Sequence, residues 1–235
     1  MSIDVFWTYD IGTKESIRAE DPVDILKKFL VKDDNLRSDY ASCPTVRDHL
    51  KNLYGFRHIF DVKFHFDITN SIVNIEKKKF DLKDRFLVRS FDRKLFSFPC
   101  SYIFFTEKES LEVEMLPAYL EDNDVVNKTI MIPGKFDIGK WIRPLDFAFH
   151  LKQDYYHDIL SFNRKDIIYY LHFKTSEKIN FKYFHHTPEI KFMTGQLLDT
   201  RNFKNQKSSM RWFYNIFSKR GFKKRIINQI KENLA

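Results

Sequence analysis

The stretch "DVKFHFDI", residues 61–68, places Val62, Phe64, Phe66 and Ile68 on one side of an extended chain and Lys63, His65 and Asp67 on the other. Strict alternation is the period of a half-buried β-strand, because successive side chains point to opposite faces of a sheet. "LDFAFHLK" (145–152) repeats the pattern, with Leu145, Phe147, Phe149 and Leu151 opposite Asp146, Ala148, His150 and Lys152. "DIIYYLHFKT" (166–175) is apolar at nearly every position and reads as a central strand buried on both faces, and "INFKYFHH" (179–186) follows it after a charged turn. Shorter strands are expected at 4–9, 71–75, 85–92, 101–106 and 110–115. This spacing predicts an α+β, β-dominated fold: an antiparallel sandwich or partial barrel from about residue 58 to 186, not a βαβ sheet.

Helical periods flank the strands. "EDPVDILKKFLV" (20–31) predicts a helix with Asp21 as cap and Pro22 in the first turn, and Ile25, Leu26, Phe29 and Leu30 on one face. "SCPTVRDHLKNLYG" (42–55) predicts another, opened by Pro44, carrying Val46, Leu50, Leu53 and Tyr54, and stopped by Gly55. After Pro188 the helical period returns at Ile190, Met193, Leu197 and Leu198. Beyond the polar break at 200–209, Ser208 or Ser209 can cap a helix carrying Met210, Phe213 and Phe217, and Gly221 ends or kinks it. Phe222, Ile226, Ile227, Ile230 and Leu234 mark a last amphipathic stretch.

With 43% hydrophobic residues, 25 of the 235 being Phe, the chain can bury a large core. No apolar run reaches membrane-spanning length, and "MSIDVFWTYD" does not read as a secretory signal. Cys43 and Cys100 are too few for a disulfide framework or a cysteine zinc site and are expected as small buried hydrophobes in a reducing interior. Charge is the uneven quantity. Residues 201–235 hold ten Lys/Arg against Glu232 alone, a net +9 where the whole chain is +8, so residues 1–200 carry −1. The expected organisation is one β-rich domain over 1–200 and a basic helical tail over 201–235, docked on it.

Motifs of familiar catalytic chemistry are missing: no G-x-G-x-x-G or P-loop of a nucleotide site, no G-x-S-x-G nucleophile elbow, no H-E-x-x-H zinc helix and no kinase set occurs, and no cofactor is implied. Two metal-site readings compete with plainer ones. His65 and Asp67 share a strand face and can open a two-His, one-carboxylate iron site with His150 or His172; equally, they are the wet side of an amphipathic strand. If strands 145–151 and 167–173 pair, His150 and His172 can share a face near His185 or His186, as a cupin-like centre requires. In "PGKFDIGKWIRPLDF" (133–147), Trp141 between Lys140 and Arg143 can stack on a ligand ring or anchor the end of a sandwich. The acids Glu121, Asp122 and Asp124 in "MLPAYLEDNDV" (115–125) lack the spacing of an EF-hand and read as a solvated loop.

Lys219, Arg220, Lys223, Lys224 and Arg225 lie close in sequence to Trp212, Phe213 and Tyr214, so basic and aromatic groups are interleaved. Five such cations can neutralise phosphates without reading sequence, with Trp212 as a stacking group. The same helix must bury its apolar stripe somewhere, and docking on the domain would leave the basic face in water. An anionic lipid surface is a third destination.

The segments "SCPTVRDHLKNLYG", "LPAYLEDN" (116–123) and "PGKFDIGKWIRPLDFAF" (133–149) resemble an uncharacterised protein family of T4-like, mainly marine, tailed phages, the likeness running from about Ser42 into the tail. The resemblance implies a product acting in the cytoplasm of an infected bacterium or carried in the virion, and it brings no catalytic residues with it. The function expected is a non-enzymatic phage accessory or structural protein that contacts nucleic acid or an acidic protein through its basic helix. The alternatives are a metal-dependent enzyme on the sheets and a virion assembly component.

Overall fold

A computed structural model of the protein describes residues 2–9, 20–31, 43–58, 61–76, 87–140, 142, 144–194, 217 and 221–235. The alternation at 61–68 becomes strand β4 (Val62–Asp67), with Val62, Phe64 and Phe66 buried and Lys63 exposed. It is the middle strand of a small sheet, between β12 (Ile159–Phe162) and β5 (Ile72–Glu76).

A larger sheet runs β14 (Lys178–Tyr183), β1 (Ser2–Tyr9), β7 (Leu95–Phe105), β11 (Pro144–Leu151) and β9 (Thr129–Met131), and β6 (Leu87–Ser90) also pairs with β7. A third has the order β10 (Gly134–Asp137), β8 (Glu112–Pro117), β13 (Ile167–Phe173), β3 (Leu53–Arg57) and β2 (Val23–Asp24). The fold is therefore α+β and β-dominated, in a sandwich-like arrangement of mostly antiparallel sheets. One pair departs from the antiparallel expectation: β1 lies parallel to β14, with Ser2 opposite Lys178 and Trp7 opposite Tyr183.

Aromatic rings fill the space between layers. Phe56 of β3 stacks on Tyr169 of β13 at 5.5 Å and meets Tyr102 and Phe104 of β7 edge-on at 5.4 and 5.1 Å. Over the rest of the large sheet, Phe66 lies 4.9 Å from Phe96 and Phe162 lies 5.9 Å from Phe147, which seats the small sheet beside the β10–β2 sheet on the same face. Edge-to-face contacts suit the ring quadrupoles and add specificity to plain area burial.

Helices close the outside. On the β10–β2 sheet, α1 (Ile25–Val31) and α2 (Pro44–Leu50) bury Ile25 and Leu50 with Leu53, Ala118, Ile167 and Tyr170. Both helices are shorter than the periodicity predicts. Asp24, not Asp21, caps α1, its carboxylate accepting from the Lys27 backbone N–H at 3.0 Å, because Val23 and Asp24 are taken up by pairing with β3. The second helix stops at Leu50 because Asn52 adopts φ 56° and donates its amide to the carbonyls of Thr175 and Glu177, turning the chain into β3. Gly55 is thus no helix stop. A Cβ there would lie 2.8 Å from Ile167 and 2.9 Å from Ile25, so the glycine lets α1 pack against β3.

In the 115–125 segment each acid has a structural partner. Glu121 takes Lys28 at 2.5 Å and the Tyr170 hydroxyl at 3.1 Å, and Asp122 accepts from Asn127. Asn123 caps the short helix α3 (Asp124–Lys128), and Asp124 pairs with Lys128. Cys43 is half-buried and free instead of fully buried, where α2 begins. Among the described residues no helix is long and apolar enough to cross a membrane.

Candidate anion-binding face

The outer face of the large sheet carries Phe6, Ile103 and Phe105, which would face water if nothing covered them. Helix α4 (Phe222–Glu232) covers them together with Ile142, Phe184, Ile190 of a helical segment at 188–194, and Phe217. Ile226 and Ile230 are fully buried in this cluster, and Phe222 and Ile227 pack at its margin. Gly221, in the left-handed region at φ 67°, is the residue at which the chain turns into the helix. After the helix the chain adds to the sheet edge: Leu234 bridges Phe184, and the Ala235 N–H donates to the Tyr183 carbonyl at 3.1 Å.

Docking sorts the basic residues. Lys223 stands three positions before Ile226 and seven before Ile230, which puts it on the buried side of an α-helix. Its ammonium donates to the carbonyls of Lys108 and Gly139 at 2.5 and 2.6 Å and lies 5.7 Å from the centre of the Phe105 ring. Burial pulls Lys223 below the ordinary lysine range, against the opposing pull of Asp137, Glu109 and Glu107. Lys223 is therefore a clip that fastens α4 to two loops. Lys231 is engaged as well, 2.8 Å from Glu107. Lys224 and Arg225 differ. Both are exposed and have no ion-pair partner among the described residues, although other surface lysines such as Lys135, Lys174 and Lys182 lie within 2.7 Å of an acid. Lys219, Arg220 and Trp212 lie outside the described residues, as do Trp141 and Arg143.

The histidines meet in a different way from either metal reading. Strand β11 pairs with β7 and β9, whereas β13 pairs with β3 and β8, so His150 and His172 stand on separate sheets and cannot share a face. His65 sits 3.7 Å from Glu76. Asp67 caps a turn through Asn70 and lies 3.4 Å from His157, and these contacts hold its carboxyl below the usual range. The Nδ1 of His150 is 2.7 Å from the Arg93 carbonyl, and His186 follows β14. Among the described residues no three His, Cys, Asp or Glu side chains gather as metal ligands.

One grouping escapes the sequence: His49 of α2 stands edge-on to His172 with ring centres 5.9 Å apart, and its Nε2 is 2.8 Å from the Tyr119 hydroxyl. No spacing rule could have paired residues 123 positions apart on a helix and a strand of different register.

No family model matches the chain, and no curated protein or solved structure matches it either.

Proposed function

We propose that this protein is a non-enzymatic accessory or structural protein of a tailed phage that holds a polyanionic partner, nucleic acid first among them, on the outer face of α4. The observation that carries the reading is the division of labour on that helix. Ile226 and Ile230 fasten it to the sheet, Lys223 clips it to two loops, and Lys224 and Arg225 are left in water without counter-charges among the described residues. Exposed cations on a rigid helix engage phosphates without ordering a flexible arm on binding, and counterion release supplies the affinity. Lys219 and Arg220, two residues or fewer before Gly221, extend the same run of charge in the sequence.

The test is fluorescence anisotropy of a short labelled duplex and a single strand, titrated with the full chain and with the Lys224→Glu/Arg225→Glu variant across a salt series. Binding is expected to weaken at least about tenfold in the variant, and the slope of log K against log salt to flatten by about 2, roughly 0.9 for each phosphate that is no longer neutralised. Unchanged affinity and slope in a folded variant would dispose of the proposal.

A further inference from the structure

In the layer that α4 forms on the large sheet, one ring is left in water. Phe192 is 65% exposed, the most of any large apolar side chain among the described residues. Other rings are taken up. Tyr119, 45% exposed, lies 2.8 Å from His49 Nε2 and stands edge-on to Tyr170, whereas Phe192 meets no other ring and no cation among the described residues.

The direction of the ring follows from helix geometry. In the segment 188–194, Ile190 is fully buried on the outer face of the large sheet, in one cluster with Ile226 and Ile230 of α4. Phe192 stands two residues after Ile190, and Lys224 stands two residues before Ile226. At about 100° per residue, each is turned about 200° from a side chain that points into the sheet, so each points away from it. The ring and the cation therefore rise from the same face of the molecule, with Arg225 beside Lys224. The other outward charges of the segment, Glu189 and Lys191, have opposite signs and leave the positive field of this face to α4.

We infer, resting on α4 as a phosphate-holding helix, that Phe192 is the base-stacking residue of this face and that the partner is single-stranded nucleic acid. Cations alone favour a duplex, whose phosphates are the more densely spaced. A ring in water reverses the preference. An unpaired base offers a free π-face, and stacking it on Phe192 takes apolar surface of both out of water; the bases of a duplex are already stacked on one another. Every base has such a face, so the contact is tolerant of sequence. Charge selects this occupant over a second copy of the chain, because a twofold contact on this face would bring Lys224 and Arg225 toward their own counterparts.

The test is fluorescence anisotropy of a labelled oligothymidylate of about 16 nucleotides and of a duplex of the same length, with the unmodified protein, Phe192→Ala and Phe192→Trp, across a salt series. The unmodified protein is expected to bind the single strand more tightly than the duplex. Phe192→Ala is expected to weaken single-strand binding at least about fivefold and to hold duplex binding within about twofold. No phosphate contact leaves with the ring, so the slope of log K against log salt stays unchanged, which separates this loss from that of the Lys224→Glu/Arg225→Glu variant. Phe192→Trp keeps a ring and is expected to bind the single strand at least as tightly as the unmodified protein. A side chain this exposed can be cut to alanine with the urea midpoint unmoved, so the losses are not those of unfolding. Single-strand affinity unchanged in Phe192→Ala, a duplex preferred by the unmodified protein, or an equal loss on both probes would overturn the inference and leave α4 as a phosphate-holding helix. No binding of either probe by the unmodified protein would overturn both. Sedimentation velocity tests the rival occupant: a dimer that Phe192→Ala dissociates would assign the ring to a second copy and overturn the inference as well.

Discussion

Phe56→Ala is expected to lower unfolding stability by about 3–5 kcal/mol, read from the urea midpoint at unchanged slope. The ring is 1% exposed and touches Tyr102, Phe104 and Tyr169 from two different sheets, with Phe181 of β14 also in reach at 6.3 Å. Its neighbours are rings fixed by strand register on both sides, so they cannot close over the hole, and the cavity adds to the forfeited transfer energy. A loss of that size is a large share of the total for a domain, typically about 5–15 kcal/mol. A change under about 1 kcal/mol would mean that the two sheets do not face each other as described.

Ile230→Ala is the second large effect, expected at about 2–5 kcal/mol by the same measurement. Ile230 is fully buried with Phe6, Phe105 and Ile190, and Ile226 lies one turn before it. Were α4 a free arm, removing an apolar side chain from it would leave stability alone. The sign and size of this one substitution therefore separate a layer of the fold from an appendage. The same packing governs how the basic face can be probed. A truncation at residue 200 would remove the cations and also strip the cover from Phe6, Ile103 and Phe105, so a failure to bind would not distinguish absent cations from a damaged domain. Reversing Lys224 and Arg225 leaves the buried face intact.

Period two is the readable part of this chain. The alternating faces of 61–68 and 145–151 and the doubly buried run at 167–173 appear where the sequence puts them, because burial on one or both faces of a strand writes itself directly into residue order. The parallel pairing of β1 with β14 is not legible, since it joins positions about 176 apart and leaves no local mark. The segment 53–57 reads as the end of a helix for a physical reason: Gly55 carries the signature of a helix stop, and only the approach of Ile25 and Ile167 reveals why a strand needs glycine there.

In the candidate site, the basic cluster reads as one unit in sequence, but a helix turns about 100° per residue, and that rotation sends Lys223 inward and Lys224 and Arg225 outward. The signal is present in the spacing of Lys223 from Ile226 and Ile230. His172 matches His150 only on the expectation that their strands pair, and its actual neighbour, His49, lies on a helix that a search of strand faces passes over.

Amide exchange along Ile226–Lys231 in the full chain tests most directly whether α4 is a docked layer with an outward basic face. A docked layer gives these amides protection comparable to that of β1 and β7, whose outer residues they cover. Exchange at free-peptide rates, with β1 and β7 still protected, would contradict it: an isolated helix of this length is marginal in water, and Lys223, Lys224 and Arg225 would then belong to a mobile arm.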